Sequence, residues 1–371
     1  MQIIDITIDV IERSTSAVPV QDTRGDLGGG TTQGVLRVKT DDGIEGHCMI
    51  GQQAEDATAA MRQLINVIKP RMLGREVTDR EWLWSQVSDI SGHGLPLESV
   101  VAPLDVALWD VAGKSVGLPI YKMLGVCSTE VPLYVTYPPR FSCPEDFVEE
   151  ARVAQSEGFS AYKMHPGPMS AIDTARAVGL VREAVGDGMA LMLDRNHGYT
   201  YEEALLVGRA LDANRYYWFE DPLPPHAFDA IDRLASKLDV PINMSDAATS
   251  LFYEAANILR RGSVRMIRGS VRKLGITGLR KQCAMVEGFG KRCEIGLAGN
   301  SAMNMANLHV MLSVPNNTYY EYWRPEAVHQ WGVMDEIVIN DAGVISAPTG
   351  VGLGIQLDEA WIEKHRVAVL S

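Results

Sequence analysis

No run of about 18 apolar residues occurs in the 371-residue chain, so no transmembrane helix is expected. Cysteine is scarce. Cys48, Cys127, Cys143, Cys283 and Cys293 are odd in number and widely scattered, and no CxxC is present. That excludes a disulfide frame and a zinc site and points to reduced thiols. Basic residues are in deficit: 34 Lys and Arg stand against 47 Asp and Glu, a formal net charge of −13. Nucleic acid and anionic membrane both need a basic face, so neither is expected as a partner. Met1–Val10 alternates apolar and polar residues and lacks the basic start and apolar core of a signal peptide. A cytoplasmic protein is expected.

What is present is ample core material. The chain is 46% hydrophobic, and its length suits about two domains, or one large barrel with an accessory domain. Residues 2–50 carry the period of β structure, with Asp41-Asp42-Gly43 as a hairpin turn. Asp22–Thr32 is a polar, glycine-rich segment expected to be a mobile hairpin connection. It does not lead from a strand into a helix with phosphate-loop spacing. Helical periodicity follows over Ala57–Ile68, Trp82–Ile90 and Ser99–Val116. From about residue 131, short apolar runs alternate with amphipathic stretches such as Pro144–Glu157, Tyr201–Leu211 and Gly278–Glu287. The predicted strands are Val131–Tyr137, Phe159–His165, Met189–Asp194, Tyr216–Glu220, Pro241–Asp246, Val264–Arg268, Arg292–Leu297 and Tyr319–Tyr322. Eight strands in repeated strand–helix units imply an α/β fold with a closed parallel barrel. The tail, with short β-like pieces at Glu336–Ile339 and Gly343–Ser346, is expected to pack on the N-terminal domain.

Barrel chemistry sits at the C-terminal ends of the strands. Three consecutive predicted strands end in an acid: Asp194, Glu220 and Asp246, each 26 residues from the last. Equal spacing sets the three carboxylates at similar depth, where they repel unless a cation lies among them. An all-oxygen set on rigid strands suits Mg2+. A single such acid would be an ordinary solvated strand end. Lys163 and His165 are two apart on the preceding strand and face the same way. Beside a carboxylate-bound cation they are candidate acid–base groups.

These residues resemble the enolase superfamily, in its mandelate racemase and muconate lactonizing branch. Family-like stretches include Pro103–Lys114, Gly275-Ile276-Thr277-Gly278 and Ala306–His309 through Pro315-Asn316. The order of motifs and the 31-, 26- and 26-residue intervals from Lys163 agree together. The resemblance covers essentially the whole chain. It implies a modified (β/α)7β TIM-type barrel with an α+β capping domain: residues 1–125 capping, 126–325 barrel, and 326–371 packing on the cap. It implies Mg2+ on Asp194, Glu220 and Asp246, and removal of a proton α to a substrate carboxylate. A homo-oligomer is a further expectation.

The departures are informative. The family's usual Lys-x-Lys is here Lys163-Met164-His165, so His165 takes the place of the base and Lys163 steers the carboxylate. Relatives carry an Asp after the sixth strand and a His after the seventh. Gly269 and Gly296 occupy those places, with Arg268, Arg272 and Lys273 near the first. Arginine stays protonated and makes a poor base, but Arg268 could bind a second acid group. One face of the substrate therefore has an evident base. Asn196, His197 and Tyr137 are further candidates for substrate contact. So are Glu321, where relatives place an acid, and Arg24 and His47, where relatives carry specificity residues. The expected reaction is dehydration of a sugar acid to a 2-keto-3-deoxy acid. Alternatives are a lactone cycloisomerase, a racemase or epimerase, or a non-catalytic barrel that keeps metal to bind sugar acids.

Overall fold

The structure is a computed structural model. It describes residues 1–18, 27–52, 55–91, 97–244, 252–340 and 342–371. Strands β1 (Ile3–Val18), β2 (Leu27–Thr40) and β3 (Glu45–Ile50) form an antiparallel sheet. Ile6, Ile8 and Val38 bury one face of it. The glycine run is strand, contrary to the expected loop: Gly29 pairs with Thr15 and Gly30 with Ser14. At Gly28 the backbone has φ +81, and a Cβ would come 2.5 Å from the Ser16 carbonyl. Glycine there permits a shift of register rather than a loose connection.

Helices over Thr58–Gln63, Arg80–Ser91 and Leu97–Val116 follow, in the blocks the periodicity predicts. Asp105, on the last of these, ties the helical block to the barrel. Its carboxylate accepts bonds from the Thr277 hydroxyl (2.6 Å) and the Thr277 amide (3.0 Å). Trp109 Nε1 donates to the same hydroxyl at 2.9 Å.

The barrel strands are β4 (Glu130–Thr136), β5 (Ala161–Met164), β6 (Ala190–Asp194), β7 (Trp218–Glu220), β8 (Ile242–Met244), β9 (Met266–Gly269), β10 (Arg292–Ile295) and β11 (Tyr320–Trp323). Each falls on a predicted strand. All are parallel, with β11 beside β4 and the ladder running from β4 in chain order to β10. Among the described residues, no ladder joins β10 to β11. That seam is bridged by Cys293 N to Asn316 O (2.9 Å) and by Ile295 N to the Asn317 side chain (2.9 Å). Among the described residues, seven helices, one in each connection from Pro144–Ser156 to Ser301–Met311, separate the eight strands. The architecture is thus a (β/α)7β barrel with a capping domain. None of the described helices is long and apolar enough to cross a membrane.

The tail divides its contacts. β12 (Val344–Ser346) pairs antiparallel with β4, setting Ile345 opposite Val131, so this piece joins the barrel rather than the cap. β13 (Arg366–Leu370) pairs with β1.

Gly275 offers a test of the joint between cap and barrel. Its φ of 64 and ψ of 179 lie in a region almost closed to other residues. A Cβ there would also come 2.5 Å from the Asp105 carboxylate. Gly275→Ala should lower the unfolding free energy by about 1–3 kcal/mol in urea denaturation. An unchanged midpoint would refute this account of the joint.

Candidate active site

The barrel's alternation brings Lys163, Glu220, Arg268 and Glu321 to one level at its centre. Lys163 Nζ lies 2.7 Å from Glu321 Oε1 and 3.2 Å from Glu220 Oε2. Arg268 completes a ring, with NH2 2.6 Å from Glu321 Oε2 and Nε 3.0 Å from Glu220 Oε1. All four are buried; Lys163 is 1% exposed. Trp218 Nε1 donates to Glu220 Oε2 (3.1 Å), and the Leu297 amide donates to Glu321 Oε2 (2.7 Å). Tyr134 receives a bond from Arg268 NH2 (2.9 Å), and its ring lies 5.2 Å from Lys163 Nζ.

The Asp194 carboxylate stands beside this ring, 3.0 Å from His165 Nε2 and 3.6 Å from Lys163 Nζ. The other nitrogen, Nδ1, is 2.9 Å from Thr136 Oγ1. That hydroxyl donates to the Lys163 carbonyl at 3.1 Å, so it accepts from Nδ1–H. The assignment leaves Nε2 as the nitrogen that meets the acids. The Trp323 ring packs on His165 at 5.4 Å between centroids.

Burial works against the charge of each group, and the partners decide the outcome. For Lys163, burial lowers the pKa, but Glu220 and Glu321 outweigh it and raise it well above the usual range. For Asp194, burial raises the pKa, but His165 and Lys163 hold it well below the usual carboxylate range. Burial, with the charges of Asp194 and Glu321, lifts Glu220 to about 7 in spite of Arg268 and Lys163. The cluster carries more carboxylate charge than its two fixed cations neutralise.

That excess fits a divalent cation. Carboxylate oxygens of Asp194, Glu220 and Asp221 lie within 4.8 Å of one another, all buried. Asp221 was not foreseen. It follows β7 with φ 42, and Asn196 (φ 51) and His197 (φ 66) follow β6 in the same left-handed region. Such backbone strain gathers at functional sites. The Asn196 backbone N–H donates to Asp194 Oδ1 (2.8 Å). His197 Nδ1 lies 3.1 Å from the Leu223 carbonyl, and Nε2 is 3.3 Å from Asp221 Oδ2. Asp246 and Arg24 lie outside the described residues.

Four of the expected substrate contacts have the following surroundings. Arg268 and Glu321 pair with each other and with Glu220 and Lys163 in the buried ring. His47 is buried in the cap, where its Nδ1 lies 3.4 Å from Asp110 Oδ2 and 3.2 Å from Lys114 Nζ. The structure does not bring it to the acids. Tyr137 has the wrong parity: it lies beside Arg140, 5.0 Å from ring to guanidinium. Thr136 and Tyr134 are the residues of β4 that face inward. The pairing of Thr136 with Lys163 carries that signal. The place of the seventh-strand group, Gly296, is filled from the side. A Cβ there would come 2.9 Å from Arg268 NH2.

The chain matches the family model "Mandelate racemase / muconate lactonizing enzyme, N-terminal domain" over residues 5–125. It matches "Enolase C-terminal domain-like" over residues 146–361. It is 27% identical over 309 residues to an arabinonate dehydratase of Saccharolobus solfataricus, covering 81% of this chain and 82% of that protein. It is 25% identical over 348 residues to a D-galactarolactone cycloisomerase of Agrobacterium fabrum, covering 86% and 91%. The solved D-glucarate dehydratase from Agrobacterium tumefaciens complexed with magnesium superposes with a TM-score of 0.87 at 27% identity, covering 99% of this chain and 100% of that one.

The depressed pKa values of Asp194 and of Glu321, which Arg268 and Lys163 hold down against burial, predict acid lability. Both groups ionise more readily folded than unfolded. Their stabilisation is therefore complete above the ordinary carboxylate pKa of about 4 and is lost as pH falls below it. Urea unfolding of the chelated protein should show stability falling steeply from about pH 5 to pH 3. Glu321→Gln should flatten part of that fall. A curve of unchanged slope would contradict the assignment.

Proposed function

We propose that this chain, which belongs to the mandelate racemase and muconate lactonizing branch of the enolase superfamily, dehydrates a sugar acid to a 2-keto-3-deoxy acid. Enolase-superfamily sites pair a Lys or His base with one or two Mg2+ ions. Here Asp194 and Glu220 would hold the ion, with Asp246 as the third ligand and Asp221 beside them. Bound there, it would supply the positive charge that offsets the charge developing on the substrate carboxylate as the α-proton leaves.

The observation that carries the reading is the imidazole of His165, anchored at Asp194 beside Lys163. Thr136 holds His165 so that Nε2 meets Asp194, and Lys163 lies on the same face of β5. His165 takes the α-proton and, as imidazolium, returns it to the departing β-hydroxyl on the same face. Across the barrel, four strands away, β9 presents Arg268. A guanidinium stays protonated and transfers no proton at neutral pH. Racemisation wants a group on each face, whereas dehydration runs with one. Cycloisomerisation of a lactone also needs one transfer site, and a relative of that activity favours it as the second reading.

Incubation with Mg2+ and a panel of aldonic and aldaric acids, followed by a 2-keto acid assay, separates these readings. Keto product from at least one acid is expected. Solvent deuterium at the α-carbon without keto product would favour a racemase. Tight binding without turnover would leave a non-catalytic binder. With a substrate in hand, His165→Asn should lower kcat by about 100-fold or more, the scale of general-base catalysis, and His197→Asn by much less. Near-normal turnover by His165→Asn, with Lys163→Met inactive, would exchange the two roles.

A further inference from the structure

Glu220 has two roles that compete. As a proposed cation ligand it offers its charge to the ion. As a member of the ring it already meets Arg268 through Oε1 and Lys163 through Oε2. Glu321 meets the same two cations through its own two oxygens. Arg268 has little freedom to leave. Tyr134 holds its NH2, and the space it fills exists because residue 296 has no side chain.

We propose that Arg268 is a positioning residue that sets how tightly the acids hold Mg2+: it withholds part of the Glu220 charge from the ion, and Glu321 opposes it by drawing Arg268 and Lys163 away from Glu220. This rests on reading the acids as a cation site. Neither Arg268 nor Glu321 is a ligand in that reading, so each acts through Glu220. Removal of the guanidinium leaves Glu220 freer for the ion. Neutralisation of Glu321 leaves both cations to Glu220 alone. The two changes therefore act with opposite sign, whereas loss of a merely structural contact would loosen the site in both.

The test is calorimetric titration of MgCl2 into metal-stripped wild type, Arg268→Gln, Arg268→Lys and Glu321→Gln, at neutral pH and fixed ionic strength. Urea unfolding establishes that each is folded. A unit charge within about 6 Å of a divalent ion changes affinity about tenfold even at the dielectric of water. Arg268→Gln should bind Mg2+ about tenfold or more tighter, Glu321→Gln about tenfold or more weaker, and Arg268→Lys close to wild type. Arg268→Gln and Glu321→Gln moving the same way, or either failing to move, overturns the inference. If Arg268→Gln does not fold, Glu321→Gln decides alone: unchanged or tighter binding is the overturning result. Absence of Mg2+ binding by wild type is a different failure, which removes the cation reading itself.

Discussion

Two cations and two carboxylates held out of water at the centre of the barrel constrain everything around them. A lone buried ion costs several kcal/mol in desolvation, and attraction offsets this only where the remaining hydrogen-bonding positions are filled. The ring of Lys163, Glu321, Arg268 and Glu220 closes on itself, so that each carboxylate oxygen faces a cation. Its members come from β5, β7, β9 and β11. Alternate strands fill one layer of such a barrel, and here that layer is charged where apolar side chains are usual. The ring also reaches the seam that lacks a ladder, since Glu321 on β11 accepts the Leu297 amide just past β10.

The cap is tied to the barrel close to this centre. Asn300, at the start of the helix after β10, donates to the Gly51 carbonyl at 2.9 Å. Val18, at the end of β1, packs in one cluster with Trp323 and Leu297. Trp323 in turn packs on His165. The cap therefore approaches the imidazole through the end of its long hairpin. His47 sits instead within the cap, on the strand that packs against the helix of Asp110.

The eight strands were legible because a short apolar run ending in an acid, a base or an amide is a local pattern. Asp194, Glu220, Lys163 and His165 could be placed on it by counting. The partners of those residues could not. Arg268 and Glu321 showed only as polar residues near strand ends, and what they touch is fixed by strands 53 residues apart in sequence. Tyr137 ends the predicted strand whereas Thr136 faces inward, because a strand's last inward position moves by one with its boundary, and one residue reverses the face. Asp221 was hidden by the same rule: next to Glu220 it should point away, and only its left-handed backbone turns it back. The glycine run has the composition of a loop, whereas pairing with β1 makes it strand.

Where the proton can go follows from the same arrangement. The described ends of β9 and β10 carry Gly269-Ser270 and Gly296-Leu297-Ala298, with no imidazole, carboxylate, thiol or amine among them. A side chain at Gly296 would press on the guanidinium, so the ring and a group placed there compete for one space. The charged layer that lets Lys163 and Glu321 remain buried thus also crowds the position from which a second group would act. Opposite it, Thr136 fixes the imidazole of His165, whose Nε2 meets Asp194. Proton transfer in the proposed reaction then falls to the β5 side, because the β9 side holds the guanidinium of Arg268. That asymmetry favours reactions that finish on the face where they begin.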